Sequence, residues 1–71
     1  MKLTRLPFPG GRTQYATDDG YRVLPSGVRG MRWAVYEPSA LDGGGFVNPL
    51  GYVINLAEAR ETIAADRAGR R

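Results

Sequence analysis

The chain has 71 residues, no cysteine, no histidine, a formal net charge of +3 and a sequence pI near 9.8. A chain of this length makes one domain that buries only about 60% of its unfolded surface, so its core is small and its stability marginal. The missing residue types exclude disulfide staples, the usual zinc ligand sets and any Cys–His or Ser–His nucleophile pair.

The charge is unevenly spread. Residues 1–36 carry six cations against two anions, whereas residues 37–71 carry four cations against five anions. Nine of the ten cations are arginine, which suits bidentate contact with phosphate or carboxylate, although an arginine-rich composition also follows from GC-rich coding. The apolar runs are too short for a signal peptide or a bilayer span. The expectation is a protein of the cytoplasm, with no membrane partner and no cofactor.

In chain order, residues 1–11 mix Leu3, Leu6 and Phe8 with Pro7, Pro9, Gly10 and Gly11. They read as an extended arm with at most a short edge strand at 2–6. Two β-favouring runs follow, Arg12 to Thr17 and Tyr21 to Leu24, separated by Asp18-Asp19-Gly20, a hairpin signal. After a loop through Gly30, the run from Met31 to Glu37 is the best strand. Alternation places Met31, Trp33 and Val35 on one face, and Arg32, Ala34 and Tyr36 on the other. Pro38 ends that strand. Residues 38–50, with Gly43-Gly44-Gly45 and Pro49, read as a long loop in which Phe46-Val47 briefly pairs.

Gly51 to Ile54 is a short β-rich run that feeds a helix over 55–68. Asn55 is its N-cap, and Glu58, three residues on, reaches back to the Asn55 N–H as a capping box. Leu56, Ala59 and Ile63 share one helical face. Arg67 suits the dipole of the last turn, and Gly69 stops the helix. The predicted architecture is α+β: a small antiparallel sheet of three or four strands (12–54) packed on one C-terminal helix (55–68), with an arm (1–11) and a basic tail (69–71). The predicted core is Tyr21, Val23, Met31, Trp33, Val35, Tyr52, Ile54, Leu56, Ala59 and Ile63. Whether Tyr52 and Ile54, or Val53, point inward is left open by so short a strand.

Motifs for catalysis are missing. Gly43-Gly44-Gly45 lacks the Gly-Lys-Ser/Thr of a phosphate loop, and Pro9-Gly10-Gly11-Arg12-Thr13 reads as a turn rather than an anion nest. Asp18-Asp19 serves the turn and Glu58 the cap, so no base, nucleophile or metal set remains and a non-enzyme is expected. Trp33, the only tryptophan, is a stacking platform or a core residue, and the shortage of large apolar groups favours core. Arg22, Arg32 and Tyr36 emerge on the sheet face away from the helix, with Ala34 leaving room between them. With the tail Arg70-Arg71 they form a candidate nucleic-acid interface.

The pattern Arg32-Trp33-x-Val35-x, a turn, a strand and then Leu56-Ala57-Glu58-Ala59-Arg60 resembles the arm-type DNA-binding domains at the N-termini of phage integrases. That resemblance, over about residues 21–68, implies a three-stranded sheet on one helix, with the sheet entering the major groove. The Gly-rich connection at 38–50 departs from the family pattern. In style the chain is also similar to small orphan proteins of actinobacterial phages, which are short, rich in Arg and Ala and end in a Leu-x-Glu-Ala-Arg helix. This implies a viral accessory protein in the host cytoplasm. Three function classes follow. The first is a non-enzymatic module binding nucleic acid through Arg22, Arg32, Tyr36, Arg70 and Arg71. The second is a module binding a host protein through the 38–50 loop and Phe46, Val47 and Leu50. The third is a homo-oligomeric assembly element.

Overall fold

The computed structural model describes residues 2–38 and 48–69. Five strands, β1 (Thr4–Phe8), β2 (Arg12–Ala16), β3 (Arg22–Pro25), β4 (Trp33–Tyr36) and β5 (Gly51–Val53), precede one helix, α1 (Leu56–Gly69). The strands form a single antiparallel sheet in sequential order, β1 to β5. The class is α+β as expected, but the sheet has five strands rather than three or four.

The extra strand is β1, an edge strand at Thr4–Phe8 where an arm with at most a short edge strand at 2–6 is expected. It pairs with β2 over its whole length, from Thr4 opposite Ala16 to Phe8 opposite Arg12. Pro7 is tolerated because β1 is an edge strand, where a missing N–H costs no ladder bond. Gly10 and Gly11 both adopt positive φ and close the turn.

The β2–β3 hairpin forms where Asp18-Asp19-Gly20 predicts it. The Gly20 N–H donates to the Thr17 carbonyl at 3.1 Å, and the Thr17 N–H donates to the Tyr21 carbonyl at 3.0 Å. Gly20 has φ +100°, and a Cβ there would stand 3.2 Å from the Pro38 Cβ. Both the conformation and the space therefore require glycine.

The core lies between the sheet and α1. Tyr21, Val23, Val35, Val53, Ala59 and Ile63 form one buried cluster, with Leu3, Tyr15, Trp33, Leu50 and Leu56 packed around it. The ladder puts Val23 opposite Val35, and Trp33 opposite Val53. Tyr15, Val23, Trp33, Val35 and Val53 thus share the helix side of the sheet. This settles the β5 register: Val53 points inward, while Tyr52 and Ile54 are exposed. Met31 is exposed too, because it precedes β4 and lies in the β3–β4 loop. On the opposite face Leu24 and Ala34 are also buried.

The helix starts at its capping box. The Glu58 N–H donates to Asn55 Oδ1 at 2.8 Å, and Glu58 Oε1 accepts from the Ile54 N–H at 3.1 Å. The return bond reaches one residue further back than the Asn55 N–H expected. Its hydrogen-bonding purpose is unchanged.

Two stability outcomes follow. Ile63→Ala, at a fully buried position, is expected to cost about 2–5 kcal/mol, enough to unfold most of so small a domain in a thermal or urea melt. Asn55→Ala is expected to cost about 1 kcal/mol, and the Asn55→Ala, Glu58→Ala double change less than the sum of the two single changes. Additive single and double variants would mean that the two caps act independently.

Candidate functional site: an arginine-lined trough at one end of the sheet

The predicted nucleic-acid residues do not form one patch. Arg22 and Tyr36 stand opposite each other in the β3–β4 ladder, on the face away from the helix. Both are half-buried, and an Arg22 guanidinium N–H donates to Gln14 Oε1 at 3.2 Å. The Tyr36 hydroxyl has its pKa raised, chiefly by burial and then by the nearby Tyr52. Ala34 is fully buried. The room it was expected to leave is closed, because Leu24 and Tyr52 flank it in the ladder and Tyr36 lies two residues along the same face.

Arg32 lies elsewhere. It precedes β4, about 13 Å along the chain from Tyr36 at 3.3 Å per residue, and its N–H donates to the Val53 carbonyl at 3.0 Å. Arg70 and Arg71 lie outside the described residues, as do Gly43, Gly44, Gly45, Phe46 and Val47. Leu50, predicted to be an exposed contact, instead packs against the core. Its N–H donates to the Val35 carbonyl at 2.7 Å, which fixes the residue beside the sheet.

What the structure does bring together is a different set of arginines. Three shallow depressions run on from one another at the end of the sheet formed by the β1–β2 turn, the β3–β4 loop and the start of α1. The first is lined by Arg5, Phe8 and Arg12 among others, and it shares Arg12 and Thr13 with the second. The second, lined also by Pro25, shares Arg32 and Trp33 with the third, which ends at Ile54, Asn55 and Leu56. The result is one open trough from β1 to the helix start, roughly 19 Å across four inter-strand spacings.

Its floor is aromatic. Trp33 is half-buried, not fully buried, and meets Tyr15 edge to face with ring centroids 5.6 Å apart. Arg12 lies over the Phe8 ring at 5.1 Å, and its Nε–H donates to the Pro9 carbonyl at 3.4 Å, so its guanidinium is held at the trough wall. Neither Arg5 nor Arg12 follows from the sequence pattern, because alternation puts them on opposite faces, Arg5 with Tyr15 and Arg12 with Phe8.

The acids are at the other end of the sheet. Asp18 and Asp19 sit in the β2–β3 turn, Glu37 follows β4, and Asp66 is near the helix C-terminus. Asp19 is bound bidentately by Arg67, Nε–H to Oδ2 at 2.8 Å and Nη2 to Oδ1 at 2.5 Å, and it also accepts from the Thr17 hydroxyl at 2.6 Å. The Arg67 hydrogen bonds hold the Asp19 carboxyl far below its ordinary range, and Asp19 raises Arg67 in turn. The Tyr21 hydroxyl donates to Asp66 Oδ2 at 2.7 Å, and Arg67 lies over the Tyr21 ring at 5.3 Å. Among the described residues, no acidic group pairs with Arg5, Arg12, Arg29 or Arg32. Glu58, the acid nearest the trough, is tied to the Ile54 N–H.

Among the described residues no group of three His, Cys, Asp or Glu side chains is placed to hold a metal ion, and no helix is long and apolar enough to cross a membrane. The fold and the trough define a small α+β domain with a cationic, aromatic-floored surface. No family model, curated protein or solved structure matches the chain.

The Asp19 clamp has a pH signature. A carboxyl whose folded pKa is depressed contributes stability that is fully present above its unfolded value, about 3.9, and lost as pH falls through the folded value. Wild type should therefore melt above Asp19→Asn at pH 7, with the gap narrowing as pH drops below about 4. A gap that is the same at pH 7 and pH 2 would show that the clamp is not ionic.

Proposed function

We propose that this chain is a small non-enzymatic binding module for nucleic acid, a phage accessory protein working in the host cytoplasm. The observation that carries this function is the segregation of charge. Arg12, Arg29 and Arg32 gather at one end of the sheet without acidic partners among the described residues, while Asp18, Asp19, Glu37 and Asp66 lie at the other among Lys2, Arg22 and Arg67. A phosphate backbone is attracted more to the first end than to the second, which orients the encounter. The Arg-Trp strand and the capped C-terminal helix, on which the resemblance to phage proteins rests, support the same reading.

A second reading is a host-protein contact. It is favoured by Val28, Met31 and Ile54, which are 42%, 40% and 52% exposed at the arginine end. Such apolar groups beside arginines suit an acidic protein surface as well as a phosphate backbone.

Salt titration decides between them. With three or four phosphates neutralised, DNA affinity should fall with a log–log salt slope near −3. Arg12→Ala with Arg32→Ala should flatten it by up to about two, whereas Arg22→Ala, at the opposite end of the sheet, should change it by less than one. If neither duplex nor single strand binds below about 100 μM at low salt, nucleic acid is excluded and the host-protein reading takes its place.

A further inference from the structure

We infer that the ligand of the trough is a single strand, laid across the end of the sheet with a base stacked on Trp33; this rests on the nucleic-acid reading above. Three features of the trough point there.

The first is shape. The trough runs along the end of the sheet, where Thr13, Pro25 and Trp33 belong to the helix side and Arg12 to the other, and the start of α1 closes one end at Asn55 and Leu56. A sheet that reads duplex DNA must enter a groove with an open face. Here the helix stands on one face, against β4 and β5, and keeps that face from entering a groove.

The second is the aromatic floor. Trp33 lines both inner depressions, so its ring system is reachable from the trough, while its contact with Tyr15 and its ladder position opposite Val53 hold it in place. A half-buried aromatic fixed at the edge of a core and flanked by cations is what a single-strand platform needs, since it offers a π-face without having to be ordered on binding.

The third is the spacing of charge. Arg12 comes from β2 and Arg32 from just before β4, about 10 Å apart across two inter-strand spacings, and both line the depression that Trp33 lines. Cations beside a stacking surface can take the phosphates next to a stacked base. The trough carries few groups able to read base edges. Asn55 Oδ1 is already used by the Glu58 N–H, which leaves the Asn55 amide donors and the Thr13 hydroxyl as its neutral polar side-chain groups. Binding should therefore tolerate sequence.

Because Trp33 is the only tryptophan, its fluorescence reports on the site directly. Oligothymidylate of about ten nucleotides should quench it and bind at least ten-fold more tightly than a duplex of equal length. Trp33→Leu, checked for folding by circular dichroism, should weaken binding of dye-labelled oligothymidylate by about ten-fold while leaving the salt slope unchanged, since stacking is lost and phosphate contacts are kept. A duplex that binds as tightly as the single strand, with Trp33 emission unchanged, overturns this inference and leaves the nucleic-acid function standing. A folded Trp33→Leu that binds oligothymidylate as wild type does also overturns it. If neither form of DNA binds, both proposals fall together.

Discussion

The structure depends on the contact between the β2–β3 turn and the last turns of α1. Tyr21 is the largest fully buried side chain, and it does two things at once. Its ring joins Val23, Val35, Ala59 and Ile63 in the core, and its hydroxyl reaches Asp66. A tyrosine buried this deeply requires a partner for its O–H, and a carboxylate on the neighbouring helix supplies one. The Arg67–Asp19 pair closes the same junction from outside. Its side chains are 35% and 49% exposed, so its energetic value is modest, but it fixes direction. The helix is thus held by its capping box at one end and by the turn at the other. Without the second attachment, a helix that packs chiefly on two strands would be free to pivot.

This junction also organises the charge. By drawing Arg67 onto Asp19 and Tyr21 onto Asp66, it gathers two acids and one cation into a self-satisfied cluster. The arginines at the other end of the strands have no such partners among the described residues. The polarity of the molecule along its strands is therefore a by-product of how it is fastened. The helix adds to it in the same sense, with the positive end of its dipole at the arginine side.

Much of this was legible locally, and what was not is non-local. The Asn55–Glu58 spacing gave the helix start, and Asp-Gly gave the second hairpin. The first hairpin was hidden because prolines and glycines were read as strand breakers. On an edge strand Pro7 breaks nothing, and Gly10 and Gly11 are the turn itself. The parity of β5 could not be read from three residues; it is set by the pairing of Val53 with Trp33. The Tyr21–Asp66 bond spans 45 positions and leaves no trace in local pattern. The trough is harder still, since Arg12 comes from β2 and Arg32 from the loop before β4, and only the ladder brings them to one end of the sheet.

A geometric mismatch explains why such a surface exists at all. Five strands span roughly 19 Å, while one helix is about 10 Å wide, so α1 can cover only half of the sheet. It packs on β4 and β5. The uncovered half-face belongs to β1 and β2, where a chain built to self-associate would place aliphatic residues. Here the inward positions are Arg5, Pro7, Thr13 and Tyr15, by their pairing with the β2 and β3 ladder. Only Tyr15 is large and aromatic, and it is spent against Trp33 at the boundary of the core. Trp33 stands at that boundary because both sides need it: the core for apolar bulk that the short strands cannot otherwise supply, and the open half-face for a rigid rim. The half of the sheet that the helix cannot reach thus carries the composition of a wet, cationic surface rather than of a second core.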